Sequence, residues 1–398
     1  MIFNDLDEAS ITVYNIRHGG KRMFTLIQHA HVYAPNDLGI KDVLLCNDKI
    51  IAVEDSISFS YPDMKVVDAS GKYLVPGFLD QHVHIIGGGG EDGFSSLIRE
   101  IQLSDCVAYG VTTVVGLLGT DSHVKSIEAL VAKCKALKEQ GMSAYCLTGA
   151  YALPSVNLTG SVGKDIAFVE EIIGVKVAIS DHRSSAPTKQ ELARLASECR
   201  TAGLLSKKPG IVHMHTGKGK DGYKKILEIL DETDIPITQF RPTHVGNQLP
   251  SAMEFAKRGG YIDFTADEET PAQIAKTLQT IPLKQITLSS DANGSFPIWN
   301  DDFTISGMGV GKMKMLYDTI RQLILEEHVS IEIAISIITK NVAQALMLYP
   351  KKGCIQKGSD ADIVLLDENL EISDVIALGK EMVRDKKVIS QNYYQYDK

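Results

Sequence analysis

At 398 residues the chain is long for one ordinary domain but suits a barrel with an accessory domain. Its 44% apolar and 23% charged content is that of a globular protein, and the formal charge of -9 argues against nucleic acid and anionic membrane surfaces as partners. No apolar run reaches the roughly 18 residues of a spanning helix, and the first residues lack the basic start and apolar run of a secretion signal. The six cysteines are scattered without a CxxC pair, so a cytoplasmic protein with reduced, mostly buried thiols is predicted.

Residues 1–22 read as an extension. From residue 24 short strands follow: FTLIQHAHVYA, then DVLLCNDKIIAVED with CNDK as the turn, then MKVVDASGKYLV. After residue 76 the texture changes to apolar runs alternating with helical windows. The runs are GVTTVVGLLG, SAYCLTGAY, VKVAISD, IVHMH, ITQFRPTHV, YIDFTA and ITLSSD. The windows include 94–108, 122–140, 187–203, 221–231, 271–279, 311–326 and 331–346. Alternation repeated about eight times predicts an α/β fold, a parallel (β/α)8 TIM-like barrel over residues 76–346, with its chemistry at the C-terminal ends of the strands. Beyond it, GSDADIVLLD, SDVIALGKEMV and KKVISQNYY return to short strands. Residues 1–75 and 347–398 are therefore predicted to meet as one small β-sandwich domain.

The strand ends carry the chemistry. PGFLDQHVHII places His82 and His84 two positions apart, and strand side chains at i and i+2 share a face. Two imidazoles facing one space suggest a shared cation. IVHMH ends in His215, RPTHV carries His244 and ITLSSD ends in Asp291. Singly, a histidine in an apolar run is ordinarily a satisfied core residue, and an aspartate after a strand a helix cap. Five such groups at one barrel mouth point instead to Zn²⁺ or a similar ion. His213 would share the face of His215, so either could be the ligand; strand position favours the later one.

Lys176 lies between Val175 and Val177 in the same kind of run. Either it snorkels out through the helix layer, or it is a neutral amine that takes up carbon dioxide as a carbamate bridging two ions. A two-ion site accounts for more donors than the roughly four that one tetrahedral Zn²⁺ takes. GGGG at 87–90 lacks the Gly-Lys-Ser/Thr of a phosphate loop and suits a sharp backbone turn beside a ligand. Ser290 and Ser295 are anchors or plain hydroxyls, and no GxSxG nucleophile motif occurs.

The ordered set resembles the amidohydrolase superfamily. PGFLDQHVHIIGGGGEDG, GVTTVVGLLGTDS, LTGAYALPS, GVKVAISDHRSSAP, PTHV and SSDANGS resemble the isoaspartyl dipeptidase (β-aspartyl peptidase) family in particular, over roughly residues 24–390. The resemblance implies two Zn²⁺ or other divalent ions: His82, His84 and Asp291 on the first, His215 and His244 on the second, and carbamylated Lys176 between them. It implies attack of a metal-bridging hydroxide on the side-chain amide of a β-aspartyl dipeptide, with Asp291 as base then acid and Tyr151 as donor to the oxyanion. Glu91 would take the substrate ammonium, Arg183 and Ser295 a carboxylate, and Thr120 would line the pocket. An assembly of several identical subunits is also implied. The residues alone allow Tyr151 as a packed wall, Arg183 paired with Asp181, and Glu91 as loop surface.

The sequence departs from the family at one motif. A second arginine follows the fourth histidine there, whereas PTHVGNQLP has Gly246 and Asn247, and Arg241 is predicted to face away. That departure keeps open another binuclear amidohydrolase: a cyclic-amide hydrolase, an N-acyl amino acid deacylase or a deaminase. A non-catalytic binding or assembly barrel is the alternative from another class.

Overall fold

The N-terminal strands form where alternation and turn residues require them. In the computed structural model of the protein, which describes residues 23–300 and 305–390, β1 (Phe24–Tyr33) pairs antiparallel with β2 (Asp37–Cys46), and β2 with β3 (Lys49–Glu54). Asn47 takes the positive φ that the tight turn between β2 and β3 needs. β4 (Lys65–Asp68) and β5 (Tyr73–Pro76) run parallel to β1. The predicted extension, residues 1–22, lies outside the described residues.

Eight strands follow: β6 (Phe78–Val83), β7 (Val111–Gly116), β8 (Ser143–Gly149), β9 (Ile172–Ile179), β10 (Ile211–Thr216), β11 (Phe240–Thr243), β12 (Ile262–Thr265) and β13 (Ile286–Ser289). Each lies parallel to the next, in sequence order, and almost every residue in them is buried, as a parallel sheet covered on both faces requires. A parallel bridge from Val83 to Ala292 joins the two edges into a barrel, and Ser290 donates its backbone N–H and its hydroxyl to Asp80 across that seam. Tight-turn chemistry sets the outer layer: Thr188 and Glu191 form a reciprocal cap on the helix Lys189–Ser206.

Two helical expectations are corrected and two helices are added. The window 94–108 contains only a 3-10 turn, Phe94–Ser96, and the short helix Leu103–Val107, and Phe94 is 80% exposed instead of facing a core. The window 331–346 breaks at Thr339, whose φ of -127 and ψ of -91 leave the helical region, giving Ile331–Ile338 and Lys340–Ala345. Helices Val162–Phe168 and Leu249–Lys257 add to the predicted set.

After β13 comes a hairpin, β14 (Ser295–Trp299) with β15 (Ile305–Val310). The C-terminal strands β16 (Ile363–Leu366), β17 (Ile372–Ala377), β18 (Lys380–Arg384) and β19 (Lys387–Val388) continue the N-terminal sheet, β16 pairing antiparallel with β5. Both chain ends thus share one nine-stranded sheet. Leu74, Ile363 and Leu365 pack on one face with Ile27, Val43 and Leu45, while Val75, Val364 and Leu366 join the barrel core. At the joint, Lys352 Nζ lies 2.8 Å from Asp360 and 2.5 Å from Asp362, all buried.

Candidate metal centre and substrate pocket

The strand ends bring the predicted donors together. His82 Nε2 lies 3.2 Å and His84 Nε2 3.3 Å from the same Asp291 oxygen, and Lys176 Nζ lies 3.1 Å from His82 Nε2. Donor atoms of His82, His244 and Asp291 fall within 4.8 Å of one another. The His215 ring centroid is 4.6 Å from that of His244. His244 and Asp291 both take left-handed backbone, φ 56 and 52, a conformation costing of order 1 kcal/mol for a non-glycine residue and concentrated at functional sites. Gly88 matters for His84: a Cβ there would stand 3.2 Å from His84 Nδ1 and 2.7 Å from the Asn293 carbonyl oxygen.

The imidazoles are arranged as metal ligands are. A ligating histidine ordinarily has its second nitrogen held by another group, which fixes the tautomer and the ring plane. His82 Nδ1 lies 2.8 Å from His213 Nε2, His244 Nδ1 2.6 Å from Thr265 Oγ1, and His215 Nε2 2.9 Å from Asp181 Oδ2. The other nitrogen of His82, Nε2, faces Asp291 and Lys176, and that of His215, Nδ1, faces the Tyr151 hydroxyl. Asp291 Oδ1 is buried without a geometrically sound hydrogen bond. This donor set fits one or two divalent ions of the zinc type. It also separates the two candidates on β10: His213 packs beneath His82, and His215 reaches the mouth.

Burial keeps the imidazoles uncharged. It lowers the His82 and His213 imidazoles well below their ordinary value, with Lys176 adding to the effect, and takes His244 down to about 3. Burial lowers the Lys176 amine to about 7. Burial alone would raise the Asp291 carboxyl, but His82 and His84 outweigh it and hold the group well below the usual carboxylate range.

Residues expected to contact substrate form a second cluster. Arg183 grips Asp181 through Nε (3.0 Å) and NH2 (2.9 Å) and reaches Glu91 with NH1 at 2.7 Å. Thr120 donates to the same Glu91 oxygen at 3.1 Å. Tyr151 OH sits 2.9 Å from His215 Nδ1, and its ring faces both Lys176 and Arg183 at 5.4 Å. Ser295 opens β14, four residues beyond Asp291. Arg241 points away: it donates to the Phe240 and Ala345 carbonyls and lies 4.4 Å over the Tyr261 ring. Asn247 Nδ2 is taken by the Thr216 carbonyl at 2.9 Å.

Residues 266–390 match the Amidohydrolase family. The beta-aspartyl dipeptidase of Fervidobacterium islandicum AW-1, solved in complex with beta-Asp-Leu dipeptide, has a TM-score of 0.89 and 39% identity, covering 94% of this chain and 100% of that one. This chain belongs to the beta-aspartyl dipeptidase family. More distantly, the L-hydantoinase of Paenarthrobacter aurescens is 20% identical over 87% of this chain and 86% of its own. The dihydropyrimidinase of Brevibacillus agri NCHU1002, at TM-score 0.65 and 18% identity over 92% of this chain and 96% of that one, shares the fold.

Two residues of this dipeptidase-family site escaped the sequence. Asp181 is one in part: its pairing with Arg183 was legible and is present, but its contact with His215, 34 positions on, was not. His213 is the other: the sequence offers it only as a rival ligand to His215, whereas its contact is with His82, 131 positions away. The described residues contain no helix long and apolar enough to cross a membrane, and all six cysteines are free.

Proposed function

We propose that the protein hydrolyses the β-aspartyl peptide bond of dipeptides, with two divalent ions, zinc by donor type, held by His82, His84, His215, His244 and Asp291 and bridged by carbamylated Lys176. The observation that carries this is a side-chain cluster with two halves. Donors for cations converge at one barrel mouth, and a carboxylate and a guanidinium of opposite charge, Glu91 and Arg183, stand 2.7 Å apart beside them. A dipeptide zwitterion matches that second half: its ammonium takes the place of Arg183 on Glu91, and its carboxylate takes the place of Glu91 on Arg183. Whole-chain similarity to a dipeptidase solved with beta-Asp-Leu supports the same substrate class.

Bound ions of this kind acidify water and polarise an amide carbonyl. Lys176 supports the bridge because carbamate formation needs a free amine, and an amine titrating near 7 supplies one at neutral pH. Asp291, held ionised, accepts a proton from the attacking water and returns it to the leaving amine. The Tyr151 hydroxyl, turned from His215 to the carbonyl oxygen, donates to the developing charge. Thr120 and Ser295 line the pocket. The reading includes a cytoplasmic enzyme assembled from several identical subunits.

A second reading rests on Asn247, a carboxamide engaged by backbone. With one fewer cation for a carboxylate, a cyclic amide or N-acyl amino acid becomes a candidate substrate. The test is turnover of β-Asp-Leu and other β-aspartyl dipeptides by zinc-loaded protein, against hydantoin, dihydroorotate and N-acyl amino acids, with metal content measured in parallel. The expected result is the highest kcat/KM for a β-aspartyl dipeptide and close to two zinc ions per chain. A higher value for a cyclic amide would transfer the activity to the second reading. Only trace metal after purification with zinc would favour a non-catalytic barrel.

A further inference from the structure

One carboxylate joins the cation-binding half of the site to the substrate-binding half. The Asp181 side chain is only 5% exposed. Its Oδ2 lies 2.9 Å from His215 Nε2 and accepts from Arg183 NH2 at 2.9 Å; its Oδ1 accepts from Arg183 Nε at 3.0 Å and from the Arg183 backbone N–H at 2.8 Å. A carboxylate only accepts, so His215 must carry its proton on Nε2, which leaves the Nδ1 lone pair to accept from the Tyr151 hydroxyl at 2.9 Å or, with that hydroxyl turned away, to take a cation. The same contacts lock the guanidinium plane of Arg183, whose remaining NH1 is aimed at Glu91. The corner that projects Asp181 is itself held. Ser180 takes φ 51, its carbonyl accepts from the Gly219 N–H at 2.6 Å, and its hydroxyl donates to the Gly222 carbonyl at 2.8 Å.

We infer that Asp181 is a positioning residue that orients His215 and Arg183 with one carboxylate, so that filling of the second cation site and grip on the substrate carboxylate depend on the same side chain. Its substrate arm rests on the dipeptidase reading; its cation arm does not.

The experiment compares wild type, Asp181→Asn, Arg183→Met and the double variant. Metal-free proteins are titrated with zinc against a chromophoric chelator, and KM is measured with β-Asp-Leu. Asp181→Asn should weaken the second zinc equivalent about 10- to 100-fold, leave the first unchanged, and raise KM about tenfold. Arg183→Met should raise KM while holding both zinc affinities. The double variant should raise KM no further than Arg183→Met alone, since each change disables the same grip. Wild-type affinity for the second zinc in Asp181→Asn, or KM losses that multiply in the double variant, would overturn the linkage. Should Asp181→Asn not fold, Asp181→Glu, which keeps the charge but moves the carboxylate, is read in the same way. If wild type cleaves no β-aspartyl dipeptide, the substrate reading fails on its own, and the zinc arm still decides whether Asp181 orients His215.

Discussion

Lys176 should destabilise the very fold that positions it. Its side chain is fully buried, and burial brings the amine from an ordinary 10.5 down to about 7. A difference of that size, at about 1.4 kcal/mol per pH unit, disfavours the buried ammonium by about 5 kcal/mol. At pH 7 the unfolded lysine is protonated and the folded one half so, which leaves a cost to folding of about 4 kcal/mol. Lys176→Met keeps the length and removes the charge. Metal-free Lys176→Met should therefore be about 4 kcal/mol more stable than metal-free wild type at pH 7. Between 7 and 10.5 the unfolded chain binds more protons than the folded one, so wild-type stability rises with pH and the gap closes near the upper value. Below 7 both states are protonated and the gap stays at its maximum. Urea unfolding at pH 7 and pH 10 measures it. A variant no more stable than wild type at pH 7, or a gap that persists at pH 10, would refute a penalised, readily neutral amine. The same substitution should lower activity by orders of magnitude, and Lys176→Ala should regain part of it with a short carboxylic acid that stands in for the carbamate.

Tyr151→Phe should lower kcat about 10²- to 10³-fold without changing zinc content; an unaltered kcat would remove the hydroxyl from the reaction. Lys352→Met would leave Asp360 and Asp362 buried without their cation and should cost about 3–5 kcal/mol in thermal or urea unfolding. The pH dependence follows from the same cluster. Burial would raise the Asp360 carboxyl, but Lys352 outweighs it and holds it low, so its contribution is present above about pH 4 and lost as pH falls through the depressed value. Burial would lower the Lys352 ammonium, but Asp362 and Asp360 raise it, so its contribution holds below about pH 10 and is lost as pH rises further. Wild type should lose stability on acidification where Lys352→Met gains it.

Legibility in the sequence followed the range of the physics. Period-2 placement of His82 and His84, and lysine or histidine inside apolar runs, are local signals, and they located the strand ends that converge. The end-to-end sheet was visible because residues 24–75 and the C-terminal strands share alternation and turn chemistry. The pairing of Asp181 with Arg183, two positions on, was legible, but the contacts of Asp181 with His215 and of His213 with His82 span 34 and 131 positions, and nothing near them in the chain reports those. The window 94–108 misled because its apolar residues repeat like a helix, yet Phe94 and Leu97 remain exposed on a loop turned by Gly87, where a Cβ would stand 1.9 Å from the Ile98 carbonyl oxygen. The hairpin of β14 and β15 carries β-forming residues in plain view but lies outside the barrel repeat that organised the rest.

The seam of the barrel has a consequence for when the proposed ions could be acquired. His82 and His84 sit on the first barrel strand and Asp291 just past the last, next to the Asp80–Ser290 contact that spans 210 positions of chain. A nascent polypeptide presents two imidazoles early, yet the carboxylate completing that set arrives only when ribosomal synthesis has delivered the final strand. Loading of that proposed first site would therefore wait for ring closure, and once in place a cation would rivet the beginning of the ring to its end.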